Sequence, residues 1–210
     1  YVAALRHPDV AQAVKAGPLG RIAITYFEWA GPDAYRVAVP WTIVDGAAAF
    51  DSFAAQVAAA PINRMRGTSI STALFVSRDL FKSNAYVGER LVVDVSGDGP
   101  NNMGPPVLSA RDILVAEGIV INGLPIMLKQ GGSGFGSIND LDVYYRDCVI
   151  GGIGSFTVPV RERGQLADAI RRKLVLEIAG LMPEPEARVM RASATDCLIG
   201  ERQRRNWMDP

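Results

Sequence analysis

Oxygen-bearing side chains occupy two places in the sequence where chemistry could occur. Thr68 lies in the loop Arg66-Gly67-Thr68-Ser69, directly before a helical pattern, and Asp98 follows an apolar run in Ser96-Gly97-Asp98-Gly99. Hydroxyl and carboxylate oxygens are hard ligands of the kind that Mg²⁺ prefers. Taken singly, Thr68 could equally be a helix N-cap, and Asp98 could belong to a turn, because Asp-Gly is a common turn dipeptide. Together they indicate a candidate magnesium site.

Other common site chemistries do not match the sequence. The glycine-rich stretch 132–137 has Ser137 where the third glycine of a dinucleotide-binding GxGxxG would stand, and no GxxxxGK[ST] occurs. His7 is the only histidine and Ser96 lacks a GxSxG elbow, so no hydrolase triad can be assembled. One histidine and two widely spaced cysteines do not form a zinc pattern.

Composition excludes several classes of partner. The 22 basic residues balance the 22 acidic ones, which does not favour nucleic acid, and the short basic run at 201–205 is typical of a solvated tail. No apolar stretch reaches the roughly 18 residues that a membrane span needs. The length of 210 residues suits one domain, predicted at 1–180, followed by a C-terminal tail at 181–210. Cys148 and Cys197 are either bridged or free, and their spacing leaves both open.

Alternating strand and helix patterns predict an α/β fold with a doubly wound, mainly parallel sheet in a three-layer α/β/α sandwich. The first two strands, joined by a hairpin, are expected to be antiparallel. In such a fold Thr68 and Asp98 both lie at the carboxyl edge of the sheet, where ligands bind. The predicted strands are 21–29, 35–44, 91–96, 119–126 and 155–160, and the predicted helices are 46–60, 70–81, 105–118, 139–149 and 166–178.

The order of these segments resembles a von Willebrand factor A domain. In that class an Asp-x-Ser-x-Ser loop, a loop threonine and a loop aspartate build a metal-ion-dependent adhesion site. The Arg66–Ile70 loop and Gly97-Asp98-Gly99 are similar to the second and third motifs. More narrowly, the stretches SGDGPNN, INGLPI, YYRDCVIGG and RRKLVLEIAG resemble an uncharacterised bacterial family of this fold, domain of unknown function 1194.

The resemblance implies a chain that lacks one part of the fold. No Asp-x-Ser-x-Ser motif precedes the threonine loop; Asp94-Val95-Ser96-Gly97-Asp98 mimics it but follows that loop. Asp98 is therefore expected to be the metal-side carboxylate and Asp94 a strand residue. With the family's sheet order 3-2-1-4-5-6, an absent first central strand would lie between 21–29 and 91–96. Metal binding, by Mg²⁺ or alternatively Mn²⁺ or Ca²⁺, is then expected to be weak or absent in the chain as given.

The resemblance also implies a function. It favours a non-enzymatic, cation-dependent module that binds a protein partner through an acidic residue, without nucleic acid. It also favours a periplasmic or secreted location, in which Cys148 and Cys197 would form a disulfide. One alternative is a metal-assisted phosphoesterase that uses Asp94 and Asp98 with Asn101 and Asn102. Another is a metal-free structural scaffold.

Overall fold

The structure, a computed structural model, describes residues 1–61, 65–128, 138–181, 183 and 194–208. The glycine-rich loop at 132–137 lies outside these residues. The chain contains both helices and strands, as predicted. The order is α1 (Val2–Leu5), α2 (Pro8–Ala16), β1 (Ile22–Trp29), β2 (Tyr35–Val44), α3 (Ala47–Ala59), α4 (Ile70–Lys82), β3 (Leu91–Gly97), α5 (Val107–Ala116), β4 (Ile119–Pro125), α6 (Leu141–Tyr144), α7 (Leu166–Ala179) and α8 (Ile199–Met208).

The two predicted strand pairs are confirmed. β1 pairs with β2 in antiparallel orientation across the turn at 30–34, and β3 pairs with β4 in parallel, with Leu91 opposite Ile119 and Gly97 opposite Pro125. Helix α5 connects β3 to β4, as a parallel crossover requires. The β3 and β4 residues that point inwards form the main core with α4 and α5.

The four strands form two separate two-stranded sheets within the described residues. This separation agrees with the expected absence of a central strand between 21–29 and 91–96, and the three-layer sandwich is present only in part. Where β1 faces β3, side chains replace backbone pairing: the Tyr1 ring lies 5.5 Å from the Tyr26 ring of β1, and the Tyr1 hydroxyl hydrogen-bonds to Ser96 of β3. This is the position at which the resemblance implies an additional central strand.

Two other predicted elements differ from expectation. The stretch 155–160 runs beside β4 through isolated parallel bridges at Thr157 and Val160 and is not a full strand. Pro159 has no amide N–H to donate, which limits a ladder there. The helix predicted at 139–149 divides into α6 and a π-helical turn, Tyr145–Val149.

The C-terminal residues include an ordered helix, α8, rather than only a solvated tail. Cys197 precedes α8 and forms a disulfide with Cys148 of the π-helical turn, with the two Cα atoms 5.5 Å apart. The disulfide fixes the start of α8 against the domain.

Candidate metal and partner-binding edge

Three loops meet at the carboxyl ends of β1 and β3. The amide of Ser69 donates to the carbonyl of Ala30 in the β1–β2 turn at 2.6 Å. The Thr68 carbonyl accepts from the amide of Asn102 at 2.8 Å, and the Thr68 amide donates to Asn102 Oδ1 at 2.9 Å. Asp98 lies on the same loop as Asn102. The structure thus brings the Thr68 loop and the Asp98 loop to one edge.

Glycines allow these loops to approach closely. Gly67 has φ +87°, and a Cβ there would lie 2.3 Å from Met103 Sδ. Gly104 has φ +78°, and its Cβ would lie 2.5 Å from Ser69 Oγ. Both positive φ values disfavour other residues, so side chains at either position would force the loops apart.

The N-cap alternative for Thr68 is not what the structure shows. Ser69 is the N-cap of α4, and its hydroxyl accepts from the amide of Thr72 at 3.3 Å. Thr68, one residue earlier, is half-buried, and its hydroxyl makes no hydrogen bond to any residue that the structure describes. The Thr68 hydroxyl is thus available as a ligand.

Beside Asp98, the hydroxyl of Tyr145 is buried without a hydrogen-bond partner among the described residues. A Cβ on Gly97 would lie 2.7 Å from this oxygen, which places the hydroxyl directly beneath the residue before Asp98. Burial raises the pKa of Tyr145, and the charges of Tyr144 and Asp98 add to the effect, so the hydroxyl stays protonated. A buried donor without a partner fits an edge that receives a ligand. Asp98 itself is exposed.

Asn101 joins this edge to three helices, a role that the sequence did not reveal. It is fully buried, and its Oδ1 accepts from the amide of Ser71, on α4, at 3.1 Å. Its Nδ2 donates to Glu201 Oε1, on α8, at 2.8 Å and to the carbonyl of Pro105 at 3.1 Å, and its amide donates to the hydroxyl of Tyr144, on α6, at 3.2 Å.

A second group of polar side chains is buried between α7 and the β3–β4 sheet. Lys173 has no exposed side-chain surface; its Nζ lies 2.7 Å from Asp94 Oδ1 and also contacts Glu177. Glu177 in turn accepts from Asn122 Nδ2 at 2.8 Å. Burial by itself lowers the pKa of Lys173, but the two carboxylates outweigh it and the net direction is upward. Burial raises the pKa of Glu177 to about 7.

The last long helix, α7, buries charged as well as apolar side chains. The most buried residues of α7 are Ile170, Lys173 and Glu177, whereas Leu174 and Ile178 are only half-buried. Asp94 explains why Lys173 is more buried than Leu174 and Ile178, because a carboxylate inside the sheet needs a counter-charge from the helix above it. The signal in the sequence was Asp94 itself, the one charged residue of β3.

The phosphoesterase ligand set is not favoured by these contacts. Asp94 is ion-paired with Lys173. The Oδ1 atoms of Asn101 and Asn102 accept hydrogen bonds from α4 and from the Thr68 amide. Three of the four proposed ligands are thus engaged in holding the fold. Among the described residues, no group of three or more histidine, cysteine or carboxylate side chains could hold a metal.

Comparison with solved structures defines the class of fold. The chain is similar to the pilus adhesin SpaC from Lactobacillus rhamnosus GG in its open conformation, with TM-score 0.58 and 12% identity over 85% of this chain and 28% of that one. It is also similar to proximal thread matrix protein 1 from the mussel byssus, with TM-score 0.53 and 16% identity over 85% and 42% of the two chains. A structure of that matrix protein with a zinc-occupied MIDAS motif gives a TM-score of 0.52 and 16% identity, covering 81% of this chain and 39% of that one.

These likenesses support a von Willebrand factor A-like fold, and at such identities they bear on the fold alone. The chain spans less than half the length of the structures that it matches. The family model described as "Protein of unknown function (DUF1194)" matches residues 1–182, so the chain belongs to that family. Comparison with curated protein sequences found no significant match. Within the described ranges, no helix is both long and apolar enough to cross a membrane.

Proposed function

We propose that this protein is a non-enzymatic module that binds a protein partner through a divalent cation. Thr68 and Asp98 would supply two protein ligands to the ion, and a carboxylate of the partner would complete the coordination. The observation that carries the proposal is the Thr68 hydroxyl: Ser69 takes the capping role, and the loop that carries Asp98 holds Thr68 at the edge.

The residues present fit a hard cation in part. They offer one hydroxyl and one carboxylate, with Tyr145 as a neighbouring donor. Mg²⁺, Mn²⁺ or Ca²⁺ would accept such oxygens and fill the remaining positions with water. When bound, the ion would act as a Lewis acid that attracts an anionic ligand. With two protein ligands, we expect a weak site, with affinity in the millimolar range or absent until a further loop contributes.

Titration of the full chain with Mg²⁺ and Mn²⁺, followed by calorimetry and by Mn²⁺-induced NMR relaxation, tests the proposal. Asp98→Ala and Thr68→Ala should each abolish site-specific relaxation near residues 98–102. Matched controls are Asp45→Ala, an exposed carboxylate, and Thr42→Ala, a half-buried hydroxyl on β2. Equal relaxation in the Asp98→Ala variant and the parent would leave the metal-free scaffold as the better account.

We also propose an extracytoplasmic location. Its support is the disulfide between Cys148 and Cys197, because such bridges persist in oxidising compartments. Thiol titration of protein isolated from its native host without reductant should find no free thiol. Two titratable thiols would contradict the proposal.

A further inference from the structure

Helix α8 is held against the candidate metal edge by contacts that are not mainly apolar. The disulfide of Cys197 fixes its start. Gly200 packs so tightly that a Cβ there would lie 2.1 Å from the Asn101 carbonyl oxygen. Glu201 accepts from Asn101 Nδ2 at 2.8 Å. Beyond Ile199, α8 adds little to the core, so burial does not explain why the chain fixes it here.

The rest of α8 presents basic and aromatic side chains. Arg205 is exposed, Arg204 is half-buried, and Trp207 is 69% exposed. Neither Arg204 nor Arg205 forms an ion pair with any residue that the structure describes. Arg202, by contrast, is paired with Asp196. The two arginines follow Glu201 by three and four residues and therefore lie on the same face of α8, one turn further out.

We infer that α8 extends the binding edge as a basic surface that receives a second acidic group of the same partner. The inference rests on the proposed function for the position of the first acidic group, at the ion near Asp98. A guanidinium binds a carboxylate through two parallel hydrogen bonds. The partner is then an acidic polypeptide segment with at least two carboxylates.

The geometry sets the spacing of those carboxylates. Arg204 and Arg205 lie about 6 and 7.5 Å along the helix axis from Gly200, at about 1.5 Å per residue. Asp98 is three residues from Asn101, at most about 10 Å away along the chain. The two contacts are thus less than about 20 Å apart, which an extended segment spans in about six residues.

Two fluorescein-labelled peptides test the inference on the full chain at low ionic strength with Mg²⁺. One carries glutamate at both ends of a seven-residue segment with uncharged residues between; the other carries a single glutamate. Fluorescence anisotropy should show about tenfold tighter binding of the two-ended peptide, because charge-assisted hydrogen bonds add at the second end. The double variant Arg204→Glu/Arg205→Glu should remove that advantage.

Two further variants distinguish the effect of where the arginines lie from the effect of the protein's net charge. Lys15→Glu/Arg21→Glu makes the same charge change at exposed sites of the α2–β1 connection and should keep the tenfold difference. Gly200→Val keeps both arginines and the net charge but displaces α8 from Asn101. This variant should lose the tenfold difference in affinity between the two peptides. Equal binding of the two peptides by the parent, or equal losses in both charge-reversal variants, would overturn the inference.

One result distinguishes the inference from the proposed function. If the two-ended peptide keeps its advantage in EDTA and in Asp98→Ala, yet loses it in Arg204→Glu/Arg205→Glu, the cation-dependent function is wrong and the basic surface of α8 stands. If both peptides bind in a manner that depends on Mg²⁺ and Asp98, without discrimination between them, the cation-dependent function stands and the inference is wrong.

Discussion

Replacing Glu177 with glutamine should remove a pH dependence of stability that the buried glutamate imposes. Glu177 shares one buried ammonium, that of Lys173, with Asp94, so three ionised groups would leave a net negative charge inside the fold. Asn122 donates to Glu177, and Arg90 donates to its backbone carbonyl at 3.1 Å. Burial therefore favours the protonated carboxyl and raises its pKa from 4.5 to about 7.

The direction in which stability changes with pH follows from proton linkage. Between pH 4.5 and 7 the unfolded chain has released the Glu177 proton while the folded chain retains it, so stability falls as the pH rises. From pH 5 to 7.5 the loss amounts to about 2 kcal/mol for this single group. Glutamine resembles the protonated form and does not titrate. The variant should thus match the parent near pH 5 and exceed its stability by about 2 kcal/mol at pH 7.5.

Urea unfolding followed by tryptophan fluorescence measures the difference, with the disulfide kept oxidised and the ionic strength fixed. Both proteins are compared at closely spaced pH values, so that groups common to both cancel. Glu89→Gln, a change of an exposed carboxylate, is the matched control and should run parallel to the parent. Parallel curves for Glu177→Gln and the parent would refute the reasoning, because they would show that Glu177 has the same pKa in both states.

Three further outcomes are expected. Lys173→Met should destabilise the protein by about 3–5 kcal/mol in urea unfolding at pH 7.5, because the buried Glu177 and the half-buried Asp94 lose their counter-charge. A loss below about 1 kcal/mol would contradict this. Gly200→Ala should increase hydrogen exchange in α8 while leaving β3 protected, because the added Cβ meets the Asn101 carbonyl. Replacing both Cys148 and Cys197 with alanine should cost about 4 kcal/mol on the chain-entropy account of a bridge with sequence separation 49, and an unchanged midpoint would argue that the unfolded chain is already constrained there.

Local patterns predicted the elements well where the pattern was regular. The strands at 91–96 and 119–126 were found within a residue or so, and so was the helix that begins at Ile70. The antiparallel and parallel pairings followed from the hairpin turn and the helical crossover, which are short-range features. Placing the Thr68 and Asp98 loops at one edge needed only the rule that parallel strands share their carboxyl ends.

The contacts within that edge depended on the tertiary structure. Thr68 and Ser69 are adjacent hydroxyl residues before one helix, and the structure shows that the Ser69 hydroxyl caps α4 by accepting from the Thr72 amide. The bond between the Thr68 amide and Asn102, far along the chain, holds Thr68 at the edge instead. The tight packing of Gly200 on Asn101 joins positions about a hundred residues apart, and no local pattern encodes it. The buried Lys173 is similar: its sequence neighbours predict a solvated side chain, and Asp94 on another element reverses that outcome.

The sequence by itself thus determined the α/β class of fold and the edge at which the Thr68 and Asp98 loops meet, because both arise from periodicity and strand order. The tertiary structure alone decided which hydroxyl remains available, how α8 is fixed beside that edge and where charge is buried. Those features depend on long-range pairing, in which the free energy of a side chain is set by partners that are distant in the chain.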